Sequence, residues 1–148
     1  MFNFINIWNR FFFSHGQPKF FDWGMLLFRG TIGLMMAFSH GLGKVKTLFS
    51  GEEIVFADPI GLGQPVSLFL AASSEFLLSL LVVVGLATRL STLPVAFTMG
   101  VAAFVIHAND PFQKQEFALL YFASFVLIFL LGPGKYSIDS GLKAKLDK

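Results

Sequence analysis

Four long apolar stretches, at 21–41, 66–87, 90–107 and 116–132, alternate with short polar segments along the chain. A helix rises 1.5 Å per residue, so about 18–22 residues cross a hydrocarbon layer of about 30 Å, and each stretch predicts one membrane span. The segment from Leu42 to Pro65 holds Gly51, Pro59, Gly61, Gly63 and Pro65. This punctuation predicts turns, with the IVF and IGLG pieces either dipping into the membrane or covering the ends of the bundle. The ATRLS connection is short enough to make spans two and three antiparallel neighbours, and Asp110–Pro111 marks a turn in HANDPFQKQE. Pro94 falls near the start of span three, where a missing backbone donor matters least. Ahead of the spans, Phe4, Trp8, Phe11 and Phe12 share one face of 2–13, the pattern of an interfacial helix. The expectation is all-α: one domain over 1–148, an antiparallel four-helix membrane bundle with a longer first loop.

Composition agrees with this pattern. The chain is 55% hydrophobic and 14% charged, where soluble domains carry about a quarter charged residues. Membrane lipid is therefore its first partner. There is no cysteine, which excludes thiol exchange, thiolate metal sites, cysteine-ligated clusters and covalent haem attachment by this chain. A net charge of +2 without a basic patch excludes nucleic acid as a partner. The N-terminus lacks a basic n-region and a small-residue cleavage site, so the first span itself would direct insertion. Placing both termini in the cytoplasm puts Arg10, Lys19, Arg89, Lys135 and the three C-terminal lysines inside, against Lys44, Lys46 and Lys114 outside. A bacterial-type inner membrane, with both termini cytoplasmic, is the expected location. The final GLKAKLDK reads as a basic tail facing cytoplasmic lipid.

Two charges interrupt the apolar stretches: Arg29 in span one and Glu75 in span two. Each costs about 2.5–3.5 kcal/mol near the bilayer centre, so such charges pair, face a polar cavity or take part in function. With span one ending at 41, their depths are about 18 Å and 14 Å, and an Arg29–Glu75 ion pair is the expected contact. That pair could be structural or functional. His40, His107 and Glu116 fall at the outer span ends, with Lys44 and Asp110 beside them. With Arg29 and Glu75 as its floor, this set outlines an outward polar pocket. Tyr121, one and a half turns beyond Glu116, reads as a packed aromatic whose hydroxyl could reach a ligand carbonyl. Neither HExxH nor ExxH spacing is present, so the histidines define no metal centre, and as a pair they are weak evidence for haem.

These residues stand in an order that resembles the DoxX family. Arg29, Gly33 and HGLGK from His40 to Lys44 are similar to its first-span signature, and FADPIGLG from Phe56 to Gly63 to its outer loop. Glu75 followed by GLATR resembles its second span and turn, and FVIHANDPF the end of its third. Glu116, FALLY and GPGKYSID resemble its fourth span and exit. The resemblance covers roughly 20–140. It implies a small integral membrane protein similar to the small subunit of thiosulfate:quinone oxidoreductase, and it brings no residue-level mechanism.

Three functions follow as expectations. The first is a redox-associated accessory subunit that binds quinone or another small apolar ligand near the outer leaflet, beside a membrane or peripheral redox partner. Arg29, His40, Glu75, His107 and Glu116 would then supply polar contacts or a proton route. The second is a non-enzymatic scaffold whose charges only hold helices together. The third is a small-molecule or proton transporter, for which four spans would need an oligomer.

Overall fold

The computed structural model describes residues 18–146 and is all-helical, without a strand among those residues. The interfacial helix expected at 2–13 lies outside the described residues. Span one is α1 (Pro18–Met35), a π-helical turn (Met36–Gly41) and α2 (Leu42–Leu48). Span two is α3 (Gln64–Ala72), a second π turn (Ser73–Leu78) and α4 (Ser79–Val84). Span three is α5 (Thr88–Val101) ending in a third π turn (Ala102–Ile106). Span four is α6 (Phe112–Leu131), followed by the short α7 (Ile138–Leu146). Among the described residues, four helices are long and apolar enough to cross a membrane.

Two boundaries differ from the sequence expectation. Span one does not stop at Gly41 but runs to Leu48, giving a helix of 30 residues. Gly41 is not a helix end. It is the point of closest approach to span two, where an added Cβ would stand 2.5 Å from the Phe76 nitrogen and 2.8 Å from the Glu75 oxygen. Span four begins at Phe112, four residues earlier than expected, and so gains a full turn. Pro94 is the seventh residue of α5, inside the helix and not at its start.

Neighbours in sequence are neighbours in space: span one packs on two, two on three and three on four, the contact of one with two being the most extensive. Met36, Val82, Val95, Met99, Tyr121, Phe125 and Ile128 form the central apolar core, and Met36, Val82, Val95, Phe125 and Ile128 are fully buried. Small and weakly polar residues (Ser74, Ser79, Thr88, Ser91, Thr92, Ser124) are buried as well. They let helices approach closely where lipid offers no hydrophobic drive between them. Large apolar side chains such as Phe97, Phe104, Phe117 and Leu130 face outward, the distribution expected when the surrounding solvent is hydrocarbon.

The end of the bundle where spans two and three are joined is tied by Arg29 and Asp139. Span two ends at Gly85, whose φ of +73° is left-handed; a Cβ there would also meet Arg29 Nη1 at 2.5 Å. Arg29, 1% exposed, donates from Nη1 to the carbonyls of Val82 and Val83 at 2.8 and 2.6 Å. Its Nη2 donates to the Tyr136 carbonyl at 2.6 Å. The last carbonyls of a helix lack intrahelical donors and form its negative pole, so a cation there is doubly matched. The Asp139 carboxylate accepts from the Ala87 and Thr88 amides and the Thr88 hydroxyl at 2.7–2.8 Å. It thereby caps the start of span three and holds Ala87 at a φ of +46°, unusual for a residue with a Cβ.

Candidate functional site

At the other end of the bundle the helices enclose a cavity of about 440 Å³. Each π turn adjoins it: His40 lies in the first, Glu75 in the second, and His107 closes the third with its amide bonded to Ala102 O at 2.9 Å. A π turn widens the helix by one residue and pushes side chains and carbonyls out of regular register, which is why such turns gather at functional sites.

The antiparallel contact of spans one and two decides which charges meet. Gly33 lies against Ser79 and Val83, and Gly41 against Glu75 and Phe76. Continuing that register past Gly41 brings Lys44 to Glu75, with Nζ 2.5 Å from Oε2. Continuing it the other way brings Arg29 to the end of span two. The expected Arg29–Glu75 pair is therefore not formed: seven residues, about 10 Å of helix, separate Glu75 from Val82. The expectation failed because it ended span one at 41. The continuation into α2 places Lys44, read as a loop charge, inside the bundle.

Glu75 is 2% exposed and its partner lysine 24%. The lysine stem passes through apolar surroundings while its head meets the carboxylate, the geometry of a snorkelling side chain turned inward. His40 adjoins this pair. Its ring stacks edge-on against Tyr121 with centroids 5.2 Å apart, a contact of span one with span four. His107 lines the cavity and bonds through Nδ1 to Asp110 Oδ2 at 2.8 Å, and Lys114 approaches the same carboxylate at 3.8 Å. The His107 hydrogen bond, helped by Lys114 and opposed by slight desolvation, holds Asp110 below the ordinary carboxylate value.

Of the residues expected here, His40, Lys44, Glu75, His107 and Tyr121 line the cavity, and Asp110 braces His107 from behind. Arg29 is not its floor; it stands at the opposite end. Glu116 is exposed, two residues and so about 200° around α6 from Lys114 and Ala118, which do line the cavity. Its neighbour Gln115 turns to the bundle instead and donates to the Ala103 carbonyl at 2.9 Å.

The first loop forms the roof, and here the covering alternative holds: Phe56, Ala57, Pro59 and Ile60 line the cavity. Asp58 fixes that roof. Its carboxylate accepts from the Ser67 hydroxyl and from the Gly63 and Leu62 amides at 2.7–2.9 Å. These bonds, the Ser67 hydroxyl foremost, lower its pKa against a small desolvation cost. Sequence reading missed Asp58 as a candidate: it lies five residues ahead of Gly63, the residue that precedes the helix, and so outside the local capping pattern. Also missed was the Ser74–Thr98 hydroxyl pair at 2.8 Å, which joins spans two and three beside the cavity; nothing in residue type alone marks it. Thr98 bonds back to the Pro94 carbonyl at 2.9 Å as well, and Pro94 lines the wall.

Phe97, Phe117 and Leu70 both line the cavity and are about half exposed or more on the bundle surface. The cavity thus reaches the lipid-facing side. Among the described residues no group of three His, Asp or Glu is arranged to hold a metal ion.

The molecule is a four-span integral membrane protein with a charged pair buried in the wall of a largely apolar cavity. Residues 24–108 match the family model described as DoxX, and the chain belongs to the DoxX family. The match takes in the motifs of spans one and two and the first loop and ends at Ala108, within FVIHANDPF; those from Glu116 onward fall beyond it. No curated protein and no solved structure matches the chain.

Proposed function

We propose that the cavity binds a small, membrane-dissolved ligand bearing carbonyl groups, a quinone foremost, and that the protein serves as a redox-associated accessory subunit. One observation carries this reading: the Lys44–Glu75 pair, with His40 and Tyr121 beside it, is set into a cavity whose other walls are apolar and reach the lipid-facing surface. Ligand pockets of 300–1,000 Å³ combine an apolar lining with a few convergent polar groups, and this one fits that description. A quinone ring offers two carbonyl acceptors. Lys44, His40, His107 and the Tyr121 hydroxyl can donate to them, while Glu75 keeps the lysine charge in place. Proton exchange with the ligand would fall to these same groups. The chain has no cysteine to carry electrons, so a non-covalent cofactor or a partner subunit delivers or removes them. On the lysine and arginine distribution, the cavity lies toward the outer leaflet of an inner membrane with both termini cytoplasmic.

The test is solvent extraction and mass spectrometry of gently purified protein, followed by titration with added quinone. Co-purifying quinone, or saturable binding weakened at least tenfold by His40→Ala or Tyr121→Phe, is the expected result. An extract without quinone, together with no binding of added quinone, overturns the reading.

A scaffold is the second reading, favoured by one fact: Glu75 already has its partner in Lys44. It predicts unchanged partner assembly in Lys44→Met/Glu75→Leu, whereas a ligand site predicts lost binding in that same variant.

A further inference from the structure

We infer that α7 and the residues around it form a binding surface for anionic phospholipid headgroups. The four spans fix the membrane plane, and α7 is held at the level where they end. Asp139 is bonded to the turn between spans two and three, and its own amide donates to the Gly85 carbonyl at 2.9 Å. Trp23 and Tyr136 stack at the same level with centroids 4.6 Å apart, as amphipathic aromatics do at a membrane interface.

The helix itself is built for that layer. Ile138, Leu142 and Leu146 recur every four residues and stay 44%, 48% and 86% exposed. They form one apolar stripe, advancing about 40° per step. Lys145 lies about 60° to one side of Leu142 and Lys143 about 100° to the other. An apolar stripe between lysines suits a helix lying in the plane of the headgroups, its apolar side in the acyl boundary and its ammonium groups reaching phosphate.

Charge at this end completes the case. Asp22 accepts from the Lys135 amide at 3.0 Å, and Asp139 is occupied by the turn it caps. Arg89 is turned to the Phe129 and Leu130 carbonyls. Lys19, Lys135, Lys143 and Lys145 are exposed, and none is in an ion pair among the described residues. Among the described residues, four exposed lysines stand against two carboxylates that are each held by backbone donors, so the surface is net positive toward the lipid. Phosphate of an anionic headgroup is its chemical complement.

The chain has no native cysteine, so Leu142→Cys can be labelled alone with the fluorophore NBD. The full-length protein is reconstituted into vesicles of phosphatidylcholine, with or without phosphatidylglycerol. The expected result is blue-shifted emission and weak iodide quenching when phosphatidylglycerol is present, with both effects diminished by salt. Lys143→Gln/Lys145→Gln should lower the membrane-bound fraction's equilibrium constant by about fivefold per lysine, with the thermal unfolding midpoint unchanged. Emission of a water-exposed probe in both vesicles overturns the inference. So does emission that is identical with and without phosphatidylglycerol, or unaffected by the double substitution.

Discussion

Arg29 and Glu75 hold opposite ends of one helix–helix interface, each with a partner of its own. Arg29 closes the final turn of span two through its carbonyls, and Glu75 accepts from Lys44 beyond the close contacts at Gly33 and Gly41. The two charges stabilise the same pair of helices without touching.

The Lys44–Glu75 pair should respond unequally to truncation. Lys44→Met strands a carboxylate that is 2% exposed, while Glu75→Leu leaves an ammonium that is already 24% exposed and can turn outward. Thermal unfolding in detergent should show a loss of about 3–5 kcal/mol for the first and about 1–2 kcal/mol for the second. The double variant should recover most of the loss. Equal losses from both single variants would contradict this account.

Two glycines only two positions apart, Gly41 and Gly43, give a contrasting pair. Gly41→Ala forces a Cβ into the Glu75–Phe76 backbone and should cost about 1–3 kcal/mol. Gly43 has nothing within 4 Å of an added Cβ and lies within α2, so Gly43→Ala should be neutral or stabilising by up to about 1 kcal/mol. Unfolding midpoints of the two variants settle the comparison.

Arg29→Lys keeps the charge and loses the fork that reaches Val82, Val83 and Tyr136 together. A loss of about 2–4 kcal/mol is expected. Because one of those bonds holds the chain after span four, limited proteolysis near 133–137 should accelerate in this variant. An unchanged cleavage rate would show that Tyr136 is held by other means.

Asp139 gives a pH signature. Burial opposes its ionisation, but the Thr88 amide and hydroxyl, the Ala87 amide and the Arg29 charge outweigh that, and its pKa is lowered. A carboxylate with a depressed folded value contributes stability that is complete above its unfolded value of about 3.9 and lost as pH falls through the folded one. Asp139→Asn should therefore be less stable than the parent at neutral pH and converge with it in acid. Unfolding midpoints from pH 7 down to about 2 would show parallel curves if the carboxylate charge were irrelevant.

The spans were legible because hydrocarbon demands apolar length, and that demand writes itself into composition. Their ends were less so. Span one was ended at Gly41 because its apolar stretch stops there, yet Gly41 serves a tertiary contact with the backbone of Glu75 and the helix runs on. That one misreading moved the outer boundary by seven residues and exchanged the partner of Glu75. His40, His107 and Tyr121 were found because a polar or ring-bearing group near a span end is visible by type. Lys44 was seen at the right depth but placed in the first loop instead of on a helix. Asp58 and Asp139 act on amides distant in sequence, and no periodicity reveals that. The π turns have no residue code at all.

Those π turns carry one more consequence. Each adds a residue to its helix while the segments on either side keep the facing they need for packing. Deleting one residue within Met36–Gly41 should return an ordinary turn there and withdraw His40 from the cavity wall, leaving α1 and α2 seated as before. Within this membrane-embedded stretch, a change in chain length can thus act as a local edit of chemistry, without shifting the frame of the fold.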